Sequence, residues 1–117
     1  MLADYEIDVY VTEDGRAPFS EWLEALGDRE AAARIHVRLA RVRLGNLGIW
    51  CSVGGGVMEL KVDYGPGYRV YFGRFGLRLV VLLCGGGKKT QSRDIARAKD
   101  YWTDYRRRTD EGESKLS

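Results

Sequence analysis

The chain has 117 residues, of which 44% are hydrophobic and 31% charged, as is typical of one globular domain with its own core. Its longest apolar stretch, residues 77–84, is far too short to cross a bilayer and contains Arg78, so the sequence excludes a membrane-spanning protein and favours a cytoplasmic one. The start of the chain lacks a basic and then apolar signal segment, so Cys51 and Cys84 are predicted to be free thiols.

The first part of the chain predicts one strand and two helices. Apolar and polar residues alternate over residues 5–11, as in a strand with one buried face. Pro18 can open a helix, and residues 19–27 carry apolar side chains at helical spacing. A second helix is predicted over residues 28–46, with Asp28 as its N-cap. The tight joint between the helices predicts an antiparallel helical hairpin.

The second part predicts a sheet and a last helix. Three apolar or alternating runs have short connections, which predict an antiparallel meander over residues 57–63, 68–74 and 77–84. The other segments are predicted as a loop at 47–56, a glycine-rich loop at 85–91, a helix at 91–108 and a disordered tail at 109–117. The order β-α-α-β-β-β-α predicts an α+β fold, in which the helical hairpin packs on an antiparallel sheet within one domain of residues 1–108.

Charge is distributed unevenly along the chain, although the formal net charge is only +2. Residues 1–30 carry nine acidic and two basic side chains, whereas residues 31–108 carry sixteen basic and five acidic ones. A basic body of this size favours an anionic partner, with nucleic acid as the first candidate. The alternative is that the acidic start folds back over the basic part.

The first hairpin of the meander gathers charged side chains on one face. Because strand side chains alternate between faces, Glu59, Lys61 and Asp63 point one way along the first strand. Arg69 and Tyr71 on the next strand are predicted to lie opposite or diagonal to Asp63 and Lys61. This arrangement is open to two interpretations, a salt-bridge lattice on a wet sheet face or a site that binds phosphate.

Two further groups of cations accompany the hairpin. Lys88 and Lys89 follow three glycines, whose backbone amides could approach an anion closely, although the spacing of a P-loop is absent. Arg34, Arg38 and Arg41 form a basic stripe on the second helix. The alternatives are a polar exit loop and a solvated helix face. The chain has one histidine and two distant cysteines, so no zinc site and no cofactor are predicted.

Three blocks of the sequence closely resemble the addiction-module killer proteins, which are HigB-like toxins of the RelE/ParE superfamily. The blocks are FSEWLEALGDREAAARIHVRLARVRLGN, ELKVDYGPGYRVYFGR and VVLLCGGGKKTQSRDIARAKDYW. The resemblance covers about residues 5–105 and implies a RelE-like fold. It also implies a toxin silenced by a cognate helix-turn-helix antitoxin. RelE and HigB relatives are mRNA endoribonucleases, usually acting on the ribosome, whereas ParE relatives poison DNA gyrase.

The resemblance also implies which residues carry the activity. The arginine of the GYR block is Arg69, the basic residue after Glu-Leu is Lys61, and the basic residues after the last strand are Lys88 and Lys89. RelE-like enzymes often have a tyrosine near the C-terminus, and some HigB enzymes have histidines there, but the stretch QSRDI has neither. The predicted RNA-binding residues are Arg34, Arg38, Arg41 and Arg74.

A mechanism follows as a hypothesis. Arg69 would stabilise the phosphorane, because its guanidinium matches two phosphate oxygens. Lys61 is the predicted general base, with Glu59 as the competing base, and Tyr71 would stack a nucleobase or position the 2′-hydroxyl. Lys88 or Lys89 would stabilise charge or protonate the leaving group. Arg69→Ala is expected to lower cleavage roughly a hundredfold and to leave the fold intact. A gyrase poison and a non-catalytic antitoxin-binding module remain as alternative functions.

Overall fold

The computed structural model describes the backbone of residues 4–116 and the side chains of residues 4–109. The described backbone forms an α+β fold with three helices and five strands. In chain order they are β1 (Glu6–Val9), α1 (Pro18–Ala25), α2 (Arg29–Arg43), β2 (Trp50–Gly54), β3 (Val57–Val62), β4 (Tyr68–Phe75), β5 (Leu79–Gly87) and α3 (Gln91–Leu116). None of the described helices is both long and apolar enough to span a membrane.

The sheet is mixed rather than antiparallel. Its strand order is β1-β5-β4-β3-β2. The predicted meander is confirmed, because β3, β4 and β5 pair antiparallel in sequence order. However, β1 pairs parallel with β5, with Ile7 opposite Val80 and Val9 opposite Leu82. The prediction of a purely antiparallel sheet was wrong, since this contact joins strands that lie far apart in the sequence and local alternation cannot specify it.

The segment predicted as a loop at residues 47–56 contains β2, which pairs antiparallel with β3. Gly54, Gly55 and Gly56 all have positive φ, at 95°, 64° and 82°, and so form the tight connection between the two strands. Four of the five residues of β2 are exposed, so the strand lacks the alternation that marks a half-buried strand. The prediction of a loop was therefore wrong.

Helices cover both faces of the sheet. On one face, α1 and α2 enclose a core that includes Phe19, Ile35, Leu60 and Phe72, which confirms the helical hairpin on one side. On the other face, α3 packs Ala98 and Trp102 against β3, β4 and β5, over a second core with Val57, Tyr71, Val81 and Leu83. The sheet face that carries Arg69 is thus partly covered by α3.

The helix ends differ in how well local sequence predicts them. Pro18 is the first residue of α1, and the Asp28 side chain accepts a hydrogen bond from the backbone N–H of Ala31 at 3.1 Å, as expected for an N-cap. At the other end of the chain, α3 continues through Leu116, past the predicted end at residue 108 and through most of the predicted disordered tail. Ser117 and residues 1–3 lie outside the described residues.

Candidate active site

The strand register brings the predicted hairpin residues together at one end of the sheet. Lys61 in β3 lies opposite Arg69 in β4, and Glu59 lies opposite Tyr71. On the other side of Arg69, its partner in β5 is Gly86. Because side chains two residues apart share a face, Lys61, Arg69, Glu59 and Tyr71 all point to the side of the sheet that α3 covers.

Glu59 is at the centre of this group and is only 2% exposed. Its Oε2 accepts a hydrogen bond from the Tyr71 hydroxyl at 3.0 Å and one from Gln91 Nε2 at 2.8 Å. Arg69 Nε lies 3.5 Å from the same oxygen. Burying a carboxyl group is costly unless it is paired and hydrogen-bonded, and these three side chains supply a positive charge and two hydrogen bonds.

Arg69 is nearly buried, with 10% of its side chain exposed. Its Nε is within ion-pair distance of Glu59, but it is a buried atom with no hydrogen-bond partner among the described residues. The contact is therefore electrostatic and lacks hydrogen-bond geometry. An anion that reached the guanidinium from solvent would meet a cation whose hydrogen-bonding capacity is incompletely used.

Tyr71 is fully buried and donates its hydroxyl proton to Glu59. Burial, followed by the neighbouring Glu59 charge, raises the pKa of this phenol well above its ordinary value. A buried neutral tyrosine that holds a carboxylate has no free ring face for a nucleobase. Its position fits a support for Glu59 rather than either predicted role, stacking on a nucleobase or positioning the 2′-hydroxyl.

Gln91 is the member of this cluster that the sequence reasoning missed. It is the first residue of α3 and follows the loop that carries Lys88 and Lys89. Its side chain reaches back to Glu59, so it fixes the start of α3 and the end of that loop against the sheet. The only signal for this role was its place directly after the basic loop, and no local pattern distinguishes it from any other polar residue at a helix start.

The lysines are exposed, in contrast to Glu59 and the three residues that contact its Oε2. Lys61 lies beside Arg69 at the edge of the cluster, while Lys88 and Lys89 lie in the connection between β5 and α3. Gly87 ends β5 opposite Tyr68, the residue before Arg69. The basic loop therefore leaves the sheet at the end where Arg69 and Lys61 lie.

The three glycines before the basic loop have a packing role. A Cβ atom at Gly85 would overlap the Trp22 ring, and one at Gly86 would overlap the Asp94 carboxylate. At Gly87 the nearest atom to such a Cβ is 3.9 Å away, which is an ordinary contact. Close approach of α1 and α3 to β5 therefore accounts for two of the three glycines, whereas the sequence suggested a cradle for an anion.

The arginine stripe on α2 is partly used within the protein. Arg34 pairs with Glu30 at 3.2 Å and lies over the Tyr64 ring, and Arg38 donates to the backbone carbonyl of Leu47 at 2.8 Å. Arg41 is exposed. A groove of about 590 Å³ is lined by all three arginines together with Lys61 and by exposed apolar residues, so the stripe does adjoin one member of the site.

Arg74 is separated from the other predicted residues. It contacts Tyr5, whose hydroxyl accepts a hydrogen bond from the guanidinium at 3.0 Å. Tyr5 belongs to the core beneath α1 and α2, so Arg74 lies on the face of the sheet opposite to Arg69. Cys51 and Cys84 are free, as predicted, and burial raises the pKa of the Cys84 thiol to about 12.

Comparison with known proteins identifies a relative. The chain is 47% identical over 81 residues to an uncharacterized protein of Haemophilus influenzae, and the alignment covers 69% of this chain and 82% of that protein. The chain belongs to the same family as the Haemophilus protein. No family model matches the sequence.

Proposed function

We propose that this protein is the toxin of a type II toxin–antitoxin module, with a RelE-like fold, and that it cleaves mRNA as an endoribonuclease. The sequence blocks that resemble HigB-like toxins support this proposal. The observation that carries it is the arrangement around Arg69, in which a nearly buried guanidinium lies beside the exposed Lys61 and is held by the buried Glu59. A preorganised cation at the edge of solvent is suited to a phosphate that becomes more negative during reaction.

The reaction consistent with this site uses the 2′-hydroxyl of the RNA itself. A base removes the hydroxyl proton, the 2′-oxygen forms a bond to phosphorus, and the bond from phosphorus to the 5′-oxygen breaks. The 5′-oxygen then takes a proton, and the products are a 2′,3′-cyclic phosphate and a 5′-hydroxyl. Arg69 stabilises the phosphorane, because its forked N–H groups can bind two equatorial oxygens.

Burial divides the remaining roles. Glu59 already accepts hydrogen bonds from Tyr71 and Gln91 and is almost inaccessible, which disfavours it as the general base. We assign Glu59 to orienting Arg69 and Lys61, as its neutral amine, to proton removal, because Lys61 lies directly beside Arg69 on the solvent side of the cluster. Lys88 or Lys89, on the exposed loop, protonates the leaving oxygen.

The partners follow from the same proposal. We expect a helix-turn-helix antitoxin to silence the protein in the cytoplasm, and the substrate to be mRNA on the ribosome. The basic groove lined by Arg34, Arg38, Arg41 and Lys61 supports an anionic partner, since it adds positive charge next to the proposed site.

The test compares Arg69→Lys with Arg74→Lys. Each variant keeps its positive charge and loses the guanidinium fork, but only Arg69 lies in the proposed site. After brief induction, mapping of the 5′ ends of a reporter message should show cleavage by the wild type and by Arg74→Lys, and roughly a hundredfold less by Arg69→Lys. Intact message with a DNA-damage response would indicate a gyrase poison. Intact message with antitoxin binding and no toxicity would indicate a binding module.

A further inference from the structure

The first turns of α3 cross the end of the sheet at the level of Arg69. Gln91 contacts Glu59 in β3, and Asp94, one turn later, lies over Gly86 in β5. Gly86 is the β5 partner of Arg69. The side chains of these first turns of α3 therefore contact β3 and β5, the strands on either side of Arg69 in β4.

Two exposed arginines continue this line beyond β5. Arg93 and Arg97 are one turn apart on α3, and both line a cavity of about 260 Å³ next to the backbone of residues 85–87. The pairing of β1 with β5 ends at Leu82, so this part of the β5 edge is not covered by β1. The two cations thus flank the site on the side opposite to Lys61.

Their charges are largely uncompensated. Arg93 Nε lies 3.8 Å from Asp94, but 61% of the arginine side chain is exposed, so this contact is weak. Arg97 makes no hydrogen bond or ion pair with the side chains described between residues 4 and 109. The Asp94 carboxylate is buried and accepts a hydrogen bond from the Thr90 hydroxyl at 2.5 Å.

Other acidic groups near this surface already have partners. A second cavity shares Arg97 with the first and contains Asp14 and Glu21. Asp14 accepts a hydrogen bond from Thr12, and Glu21 pairs with Arg16 at 2.6 Å. Two of the three α2 arginines, Arg34 and Arg38, differ from Arg93 and Arg97 because they are occupied by internal contacts. Arg93 and Arg97 therefore present positive charge that is available to an anion beside the proposed active site.

We propose that Arg93 and Arg97 bind the sugar–phosphate backbone of single-stranded RNA next to the cleaved linkage. This inference rests on the proposed function and adds the course of the substrate, which crosses the end of the sheet from Lys61 past Arg69 to α3. Arginine suits this task because its charge is permanent and its N–H groups match phosphate oxygens. Contacts with the sugar–phosphate backbone do not distinguish one base from another, so Arg93 and Arg97 would increase the affinity for RNA without selecting a codon.

The experiment measures binding of a fluorescent single-stranded RNA whose 2′-hydroxyls are methylated, so that it cannot be cleaved. The variant Arg93→Gln/Arg97→Gln is compared with Arg78→Gln/Arg106→Gln, which removes the same charge from exposed positions outside both cavities. The logarithm of the RNA-binding constant falls linearly with the logarithm of the salt concentration, and each lost phosphate contact makes this slope shallower by about 0.7 for a single strand. We therefore expect the slope to decrease by about 1.4 in the first variant and to be unchanged in the second.

Equal slopes in the two variants would overturn the inference. If the wild type cleaves message and both variants bind RNA alike, only this inference fails. If the wild type neither binds the RNA nor cleaves message, the proposed function fails with it. Unchanged RNA binding with lost antitoxin binding in Arg93→Gln/Arg97→Gln would assign the surface to an acidic protein and also overturn the inference.

Discussion

Arg69 Nε lies 3.5 Å from Glu59 Oε2 on the neighbouring strand, and both side chains are nearly buried. The two residues are diagonal neighbours, since Glu59 is opposite Tyr71 and Lys61 is opposite Arg69. Removing one partner of a buried pair leaves the other charge uncompensated, which is more costly than replacing both. The residue proposed for phosphate binding is therefore also a structural residue.

Arg69→Met is expected to lower the free energy of unfolding by about 3–5 kcal/mol, because it leaves the buried Glu59 carboxylate without a positive partner. The earlier expectation that a neutral residue here leaves the fold intact is thus revised. In Arg69→Met/Glu59→Gln most of this loss should be recovered, since the amide is uncharged. Urea denaturation of the single and double variants measures the coupling. Simple additivity of the two single effects would contradict the proposed ion pair.

Gln91→Glu is expected to make stability depend on pH. The new carboxylate would lie within hydrogen-bond distance of Glu59, and two like charges raise the pKa of one member of the pair in the folded state. When the pKa of a carboxyl group is higher in the folded protein than in the unfolded chain, where it is about 4.3, the protein is most stable below about pH 4.3. This stability is lost as the pH rises through the pKa of the folded protein. Thermal unfolding at pH 5 and pH 8 measures the effect.

Ser92, the exposed neighbour of Gln91, provides the matched control for the Gln91→Glu variant. Ser92→Glu adds the same charge to the same turn of α3, but Ser92 is exposed. Its melting temperature should change little between the two pH values. If Gln91→Glu and Ser92→Glu respond alike, the contact between Gln91 and Glu59 does not determine stability.

Gly85→Ala should destabilise the protein by about 1–3 kcal/mol, because its new methyl group would overlap Trp22 in a packed interface. Gly87→Ala should be nearly neutral, since its nearest neighbour is an ordinary contact at 3.9 Å. Chemical denaturation of the two variants tests the packing role of the glycine run. A larger loss in Gly87→Ala than in Gly85→Ala would disprove it.

Asp104 joins the segment after β1 to α3 and should contribute to acid sensitivity. Its carboxylate accepts a hydrogen bond from the Tyr10 hydroxyl at 2.6 Å, and this bond, together with contacts from Arg107 and Arg108, lowers its pKa. When the pKa of a carboxyl group is lower in the folded protein than in the unfolded chain, where it is about 4, the group stabilises the protein above about pH 4. This stability is lost as the pH falls through the pKa of the folded protein.

Asp104→Asn should therefore lower stability at pH 7 and flatten its dependence between pH 5 and pH 2. Asp100→Asn, at an exposed position of the same helix, should retain the acid dependence of the wild type. Melting temperatures measured across this range by circular dichroism distinguish the two variants. Parallel pH profiles for the wild type and Asp104→Asn would show that another group controls the acid response.

Local sequence determined the elements whose signals lie within a few residues. The alternation in β3 and β4 and the short turn between them were sufficient to place Lys61 and Arg69 close together on one face, although not to fix their exact register, and the Asp28 side chain marked the start of α2. These features depend on period, turn length and capping, which act between near neighbours in the chain. The same reasoning could not detect β2, because this exposed strand leads into three glycines and does not alternate buried apolar with exposed polar residues.

Only the tertiary structure decided which of the charged side chains on the sheet face are buried and which are exposed. A strand face with Glu59, Lys61, Arg69 and Tyr71 has the pattern of a wet surface, and only packing of α3 over it turns three of them into a buried cluster with Gln91. The parallel pairing of β1 with β5 and the internal use of Arg38 were decided in the same way. The physical reason is that burial, and with it the strength of every charge interaction, depends on which distant segment covers a residue.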